Sequence, residues 1–465
     1  MSYMKWLAAA VLTASLLQAE DPRLKGSSRR TERNGWIQVR LEGAPRDLGY
    51  QHGYLLAPEI EDARKVIQIV LTRDTNKSYG LFRDAARDVY WPKIETEYRE
   101  ELQGIADGVK ARGVKGIDVW DVLVMNLWNE LIPYYTNWYD RQNKSAKPTK
   151  QGAPEHCSAF VATGSYTKDG RPVMGHNAWT GYMEGQRWNI VFDMHPERGH
   201  AIFMDGYPGL IHSGDDFGFN SAGIMITETT ISGFSGFDPN GVAEAVRARK
   251  AMQYAGSIDD FARIMKDGNN GGYANNWLIA DRKTGEIASL ELGLKNVTLR
   301  RTKDGYFSGS NYIVNEKLGR EETDFDVADK SNSANARQVR WDQLLTQHKG
   351  RIDVALAKTF FADHYDSFDK VERPSERTLC GHIDVSPRGV KNWQAPFAPA
   401  GTVQNKVADA AMAERMSFHA AMGHACGRNF SASKHLDKYK QFDWQKPWLR
   451  DLPAGQWTPF SAERP

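Results

Sequence analysis

The spacing of hydrophobic positions changes character along the chain. After a short alternating run, "WIQVRLEG", that reads as a strand, Val66, Ile67, Ile69, Val70 and Leu71 recur at helical spacing. A helical region is predicted over roughly residues 58–131, including "ELQGIADGVKARG" and "DVWDVLVMNLWNEL". From Cys157 onward the period falls to two. "CSAFVATGS" and "RPVMGHNAW" flank "TKDG", whose Asp169-Gly170 pair is a hairpin signal. "WNIVFDMH", "HAIFMDG" and "GIMITETTI" continue the strand pattern. Two helices then interrupt it: residues 241–255, with Val242, Val246 and Met252 at helical spacing, and a second helix opening at Ser257, whose spacing to Asp260 makes a capping box. "NWLIAD", "GEIASLEL", "NVTLRR" and "GYFSGSNY" return to strands. Strand runs with helices segregated outside them predict stacked sheets covered by helices, an α+β layer architecture.

Two segments fall outside both periods. Residues 1–19, "MSYMKWLAAAVLTASLLQA", have Lys5 before an apolar run that is too short to span a bilayer and read as a signal peptide. The expected location is therefore secreted, periplasmic or a lysosome-like lumen, with no stable membrane span. Residues 139–156, "YDRQNKSAKPTKQGAPEH", are charged, dotted with Pro and Gly and aperiodic, which predicts an exposed, protease-accessible linker. The expected division is a signal peptide over 1–19, an N-terminal strand and helical part over 20–138, the linker over 139–156 and a β-rich part over 157–465.

Composition narrows the function classes. The chain is 41% hydrophobic and 25% charged, an ordinary globular balance. Its 60 basic and 58 acidic residues leave a net charge of +2 and no basic cluster, so nucleic acid is not an expected partner. No zinc-ligand spacing, phosphate-binding loop or dinucleotide fingerprint is present, and neither a cofactor nor a metal is expected. The 14 Trp read as core aromatics or as a sugar or lipid platform. Asn-x-Ser/Thr matches at Asn76, Asn143, Asn296 and Asn429 would carry glycans in a eukaryotic source. In an oxidising compartment the odd count of three cysteines allows at most one internal disulfide. Cys380 and Cys426 lie together in the last quarter of the chain and form the natural pair, leaving Cys157 free, although parity alone does not decide the partition.

Cys157 stands where a flexible segment meets a strand. A thiol at the first position of a chain has its own base in the α-amino group, whose reference pKa of about 7.7–8.0 lies close to working pH. Inside a precursor that amine is released only by cutting the bond between His156 and Cys157. The thiol can do this itself, by attacking the His156 carbonyl, shifting the acyl group from nitrogen to sulfur and letting water hydrolyse the thioester. The alternative at this stage is an inert buried or disulfide-bonded cysteine.

The residues from Cys157 resemble the phospholipase B-like family of N-terminal-nucleophile hydrolases. "CSAFV" followed by "GHNAWTGY", then "GYPGLIHSGDDFGFNSAGIMITETTI", "YANNWLIAD", "YFSGSNYIVNE" and "CGHIDVSP" match its landmarks in order over most of residues 155–450. "LGYQHGYLLAPEI" is similar to the related penicillin acyltransferase group. The resemblance implies a four-layer αββα sandwich of two stacked antiparallel sheets covered by helices, a precursor that cuts itself before Cys157, two fragments that stay associated, and an amide- or ester-cleaving site. It also implies Asn311 as oxyanion donor, Asn220 as a second site asparagine and Arg337 beside the nucleophile's sulfur, with Arg340 as the alternative. His176 and Trp179, on the strand paired with the nucleophile strand, and Asn276, in "YANNWLIAD", are expected at the pocket. Two departures stand out. Ala178 replaces the family's Thr, and "GHNAWTGY" lacks an aspartate that more distant relatives use to hold the amine.

The expected function is hydrolysis of a small-molecule acyl amide or lipid ester through a thioester on Cys157. Rival readings are an N-acyltransferase, in which an amine resolves the acyl-enzyme, and a non-enzymatic secreted protein that holds a lipid or glycan.

Overall fold

The computed structural model describes residues 21–28, 31–143, 157–391 and 393–462. The segment read as a signal peptide, His156 and most of the linker lie outside them. The linker's first residues do not: the helix Thr136–Asn143 runs into it. Tyr139 packs on Tyr135 with ring centroids 5.9 Å apart, and Asp140 pairs with Lys77, which holds this last turn against the helical layer.

Two large sheets stack face to face. One has nine strands in the spatial order Thr31–Arg33, Trp36–Gly43, Ile190–Pro196, Ile202–Gly206, Gly218–Asn220, Ile224–Thr230, Asn275–Asp281, Glu286–Leu292 and Val297–Thr302. The other has six: Gly305–Gly309, Cys157–Thr163, Val173–Gly181, Ala400–Asp409, Ser417–Met422 and Thr458–Ser461. Alternate side chains of each strand fill the space between the sheets. Phe203 and Phe219 of the first sheet meet Phe418 of the second at 5.0 and 6.2 Å between ring centroids. The sheets are antiparallel, as expected, with one exception: Trp36–Gly43 pairs in parallel with Ile190–Pro196. The helical region and the Cys157 hairpin separate these strands in sequence, so no tight turn forces them antiparallel.

Helices cover both outer faces, which completes the four layers. Phe261 of the helix Ile258–Lys266 packs on Trp277 of the nine-stranded sheet at 5.4 Å. Ser257 caps that helix, as its spacing predicts, by accepting the Asp260 N–H at 3.1 Å. On the far side, Trp341 of the helix Ser333–Gln347 and Phe360 of the helix Val354–Phe360 close over Phe160 at 5.3 and 5.8 Å. The N-terminal helices Pro45–Leu55 and Thr96–Ala111 approach so closely that a Cβ on Gly49 would lie 1.9 Å from the Glu101 carbonyl oxygen. Among the described residues no helix is long and apolar enough to cross a membrane.

Candidate active site

The "TKDG" signal produces the predicted hairpin. Gly170 takes φ +76°, and Cys157–Thr163 pairs antiparallel with Val173–Gly181. The register puts Ala178 opposite Cys157 and His176 opposite Ala159, so these four side chains share one face. On the other edge of the Cys157 strand, Gly309 pairs with Ala159. Two residues further on, Asn311 reaches the start of the Cys157 strand in a left-handed conformation, φ +67°, which asparagine tolerates better than most residues. Strand pairing, rather than loop placement, therefore brings Asn311 to Cys157.

Cys157 is buried, at 1% exposure. Its backbone N–H donates to Asn311 Oδ1 at 3.3 Å, and its carbonyl accepts from Arg337 Nη1 at 2.5 Å. Arg337 also donates to Asn311 Oδ1 at 3.0 Å and to Ser158 Oγ at 3.0 Å. Its guanidinium lies under the Trp179 ring, 4.3 Å from the centroid. Arg340, one turn along the same helix, points away and pairs with Asp363 at 2.5 Å. Of the two, Arg337 is the one that contacts Cys157. It braces the backbone of Cys157 and the acceptor oxygen of Asn311.

On the sulfur side a Cys–His–Glu group converges. Cys157 Sγ, a ring nitrogen of His176 and a carboxylate oxygen of Glu228 all lie within 4.8 Å of one another, and all three residues are buried. Burial pushes the Cys157 thiol well above its ordinary range, and the charges of Glu228 and Asp215 push the same way. Burial also holds His176 well below the usual imidazole range, with Lys406 adding to the effect. Glu228 is raised by burial and by Asp216. All three shifts run toward the neutral form of the group, as burial dictates. Neither His176 nitrogen has a hydrogen-bond partner, and Nδ1 faces Asp215 at 3.9 Å. Beneath them Lys406 joins Asp205 and Asp215 at 2.9 and 2.6 Å between the two sheets. Burial works against the ammonium, but the two carboxylates outweigh it and raise its pKa.

Four expectations change. Asn311 contacts Cys157, but through its acceptor: Oδ1 takes the Cys157 N–H, while Nδ2 donates to the Thr230 carbonyl at 2.9 Å. Asn220 is not at the site. Its Nδ2 donates to the Met252 and Ala255 carbonyls at 3.0 and 2.8 Å and its Oδ1 accepts from Gly223 and Ile224, so it ties a hairpin turn to the end of the helix Glu244–Tyr254. Asn276 accepts from Ser289 Oγ of the adjacent strand at 2.8 Å, and Trp179 is spent on Arg337, so neither lines the cavity beside the nucleophile.

That cavity, of about 240 Å³, is lined by Thr230 and Tyr273 on the nucleophile side and by Trp128, Tyr134, Met183 and Trp444 among others. Both near-side residues touch the site. The Thr230 carbonyl receives Asn311, and the Tyr273 hydroxyl donates to Glu228 at 3.1 Å. Glu184, half-buried in its wall, has its carboxyl raised to about 7 by burial. Glu228, Tyr273 and Lys406 were not predicted as site residues; the one signal was an acid inside the otherwise uncharged strand "IMITETT".

Cys380 and Cys426 are both free thiols, although they are neighbours, with sulfurs that share a 4.8 Å cluster with two histidines.

The profile of the family described as Phospholipase B matches residues 62–298, which include Cys157, His176 and Glu228. An uncharacterized protein of Archaeoglobus fulgidus is 28% identical over 257 residues, 51% of this chain and 40% of that protein. Phospholipase B-like 1 of Homo sapiens is 24% identical over 297 residues, 58% of this chain and 50% of its own length. The matches thus span half or less of these relatives' own length. Among solved structures, a mutant of conjugated bile acid hydrolase from Clostridium perfringens is similar over 57% of this chain and 89% of its own, with 14% identity and a TM-score of 0.35.

Proposed function

The chain belongs to the phospholipase B family, and from that premise we propose that it is a self-processing hydrolase that cleaves an acyl bond, an ester or an amide, through a thioester on Cys157. The observation that carries the reading is the pairing of a strand-initial cysteine with its own future amine. The nitrogen that donates to Asn311 at 3.3 Å is the one that cleavage before Cys157 would free.

The first reaction is on the chain itself. Neutral His176 accepts the thiol proton, and the sulfur attacks the carbonyl carbon of His156. The carbon–nitrogen bond breaks, the Cys157 nitrogen takes up a proton, and the acyl group rests on sulfur as a thioester. Water then hydrolyses it. The freed amine, held by Asn311, replaces His176 as the base for turnover. It takes the thiol proton as the sulfur attacks a substrate carbonyl, and returns that proton to the leaving alcohol or amine. Water completes the cycle by releasing the acid.

The names of the relatives, phospholipase B-like, and the aromatic cavity beside the site both favour an acyl group with apolar bulk. The test is a panel of acyl amides and phospholipids assayed with the processed protein and with Cys157→Ala. Release of free acid by the former and none by the latter is expected. Equal background release by both would contradict the assignment.

A further inference from the structure

Four side chains from distant parts of the sequence converge about one point on the outside of the six-stranded sheet. His364 follows the helix Val354–Phe360, Cys380 and His382 sit two residues apart in one loop, and Cys426 follows the strand Ser417–Met422. One ligand atom from each lies within 4.8 Å of every other. His364 Nε2 and His382 Nε2 are 3.1 Å apart, and Cys426 Sγ is 3.5 Å from His382 Nε2. A tetrahedral zinc ion with ordinary Zn–N and Zn–S bonds has edges of about 3.3 Å between nitrogens and about 3.6 Å between nitrogen and sulfur. The observed separations are those edges within a few tenths of an ångström.

We propose that His364, Cys380, His382 and Cys426 bind a structural zinc ion. Two thiolates and two imidazoles form a soft, tetrahedral donor set suited to zinc. A disulfide would use the two sulfurs alone and would not account for the two imidazole nitrogens that converge with them. The surroundings fit the ion as well. His382 Nδ1 and Asp384 Oδ1 are both buried without a hydrogen-bond partner and face each other at 3.7 Å. This is the arrangement in which a carboxylate orients a metal-bound histidine through its other nitrogen. His382 also stacks on His424, 3.8 Å between ring centroids, which fixes the plane of the ligand ring. His364 and Cys426 are partly exposed, so an ion can enter from solvent.

Four protein ligands leave no open position, so the ion staples the fold and takes no substrate. What it staples lies directly behind the nucleophile strand. The Leu379 carbonyl accepts Asn177 Nδ2 at 2.7 Å, and Asn177 Oδ1 accepts the Ser158 N–H at 3.0 Å. Gly381 at φ +63° lies flat on Trp179, where a Cβ would come within 2.2 Å of the indole.

The test is elemental analysis of the full-length protein after dialysis, together with its intact mass without reductant. About one zinc per chain is expected, with both thiols becoming titratable only after denaturation with a chelator. Asp384→Asn, which keeps all four ligands, is expected to weaken zinc binding by ~10–100-fold in a chelator competition. His364→Ala, at the partly exposed ligand, is expected to purify with substoichiometric zinc. Should the variants fail to fold, cobalt loaded into the wild-type protein supplies the second reading, through the visible bands of a tetrahedral thiolate site. A Cys380–Cys426 disulfide in the mass, no metal taken up by the reduced protein, or full zinc retained in His364→Ala would each overturn the proposal.

Discussion

Asn311 Oδ1 accepts the backbone N–H of Cys157 and a guanidinium N–H of Arg337 at the same time. Two donors on one oxygen set the orientation of the amide and turn its nitrogen to Thr230. This separates two roles for the residue. Asn311→Asp keeps the acceptor, so turnover by the processed protein should survive it far better than Asn311→Leu. A residue acting as oxyanion donor would lose ~10²–10³-fold in either variant. Steady-state turnover of the two, side by side, distinguishes the roles.

Arg337 is fully buried and donates to Cys157 O, Ser158 Oγ and Asn311 Oδ1. Arg337→Met removes a donor from each of these acceptors, of which Asn311 Oδ1 keeps the Cys157 N–H, at about 1–3 kcal/mol for each group left with no other partner. Chemical denaturation should show that loss, and self-cleavage should slow with it. Arg340→Met removes an ion pair with Asp363 outside the site, and its processing should match wild type.

In the proposed self-cleavage His176 is the base available before any amine is free. Its replacement by Ala should slow self-cleavage by ~10²–10⁴-fold, the usual contribution of a positioned base. Burial depresses its pKa, so it stays unprotonated where an ordinary imidazole would be charged. The processing rate of freshly made precursor should therefore hold steady as pH is lowered from about 8 to about 6. A rate that falls with the titration of an ordinary imidazole would exclude this environment for the base.

Glu184 gives a stability signature. Its carboxyl is raised from 4.5 to about 7 by burial, so between those values the folded state keeps a proton that the unfolded state has released. Its contribution to stability is present below pH 4.5 and is lost as pH rises through 7. Glu184→Gln should melt with wild type in acid and above wild type at pH above 7. Parallel melting curves at both ends of the range would show that this carboxyl is not held in that state.

The layered fold was legible because its signals are local. The period-two runs and the Asp169-Gly170 turn act within a few residues and formed as read, and Ser257 caps its helix, with the Asp260 carboxylate accepting from the Gly256 N–H. The strand that begins at Cys157 was legible because an abrupt change from aperiodic to period-two text is written in the sequence. Roles that depend on a distant partner were not. "FNSAG" serves a hairpin turn and a catalytic asparagine equally well, and only the carbonyls of Met252 and Ala255 decide for the turn. Arg337 and Arg340 differ by one helical turn, and packing under Trp179 separates them. Parity joined Cys380 to Cys426, but it could not see that His364 and His382 arrive at the same place.

The central claim is that Cys157 becomes the first residue of its own chain. N-terminal sequencing of the purified protein, with intact mass, measures this directly. The predicted result is a second N-terminus reading Cys-Ser-Ala-Phe in the wild-type protein and an uncut chain in Cys157→Ala. A folded wild-type protein that stays whole across the His156–Cys157 bond, or a Cys157→Ala variant cut at the same bond, would contradict it.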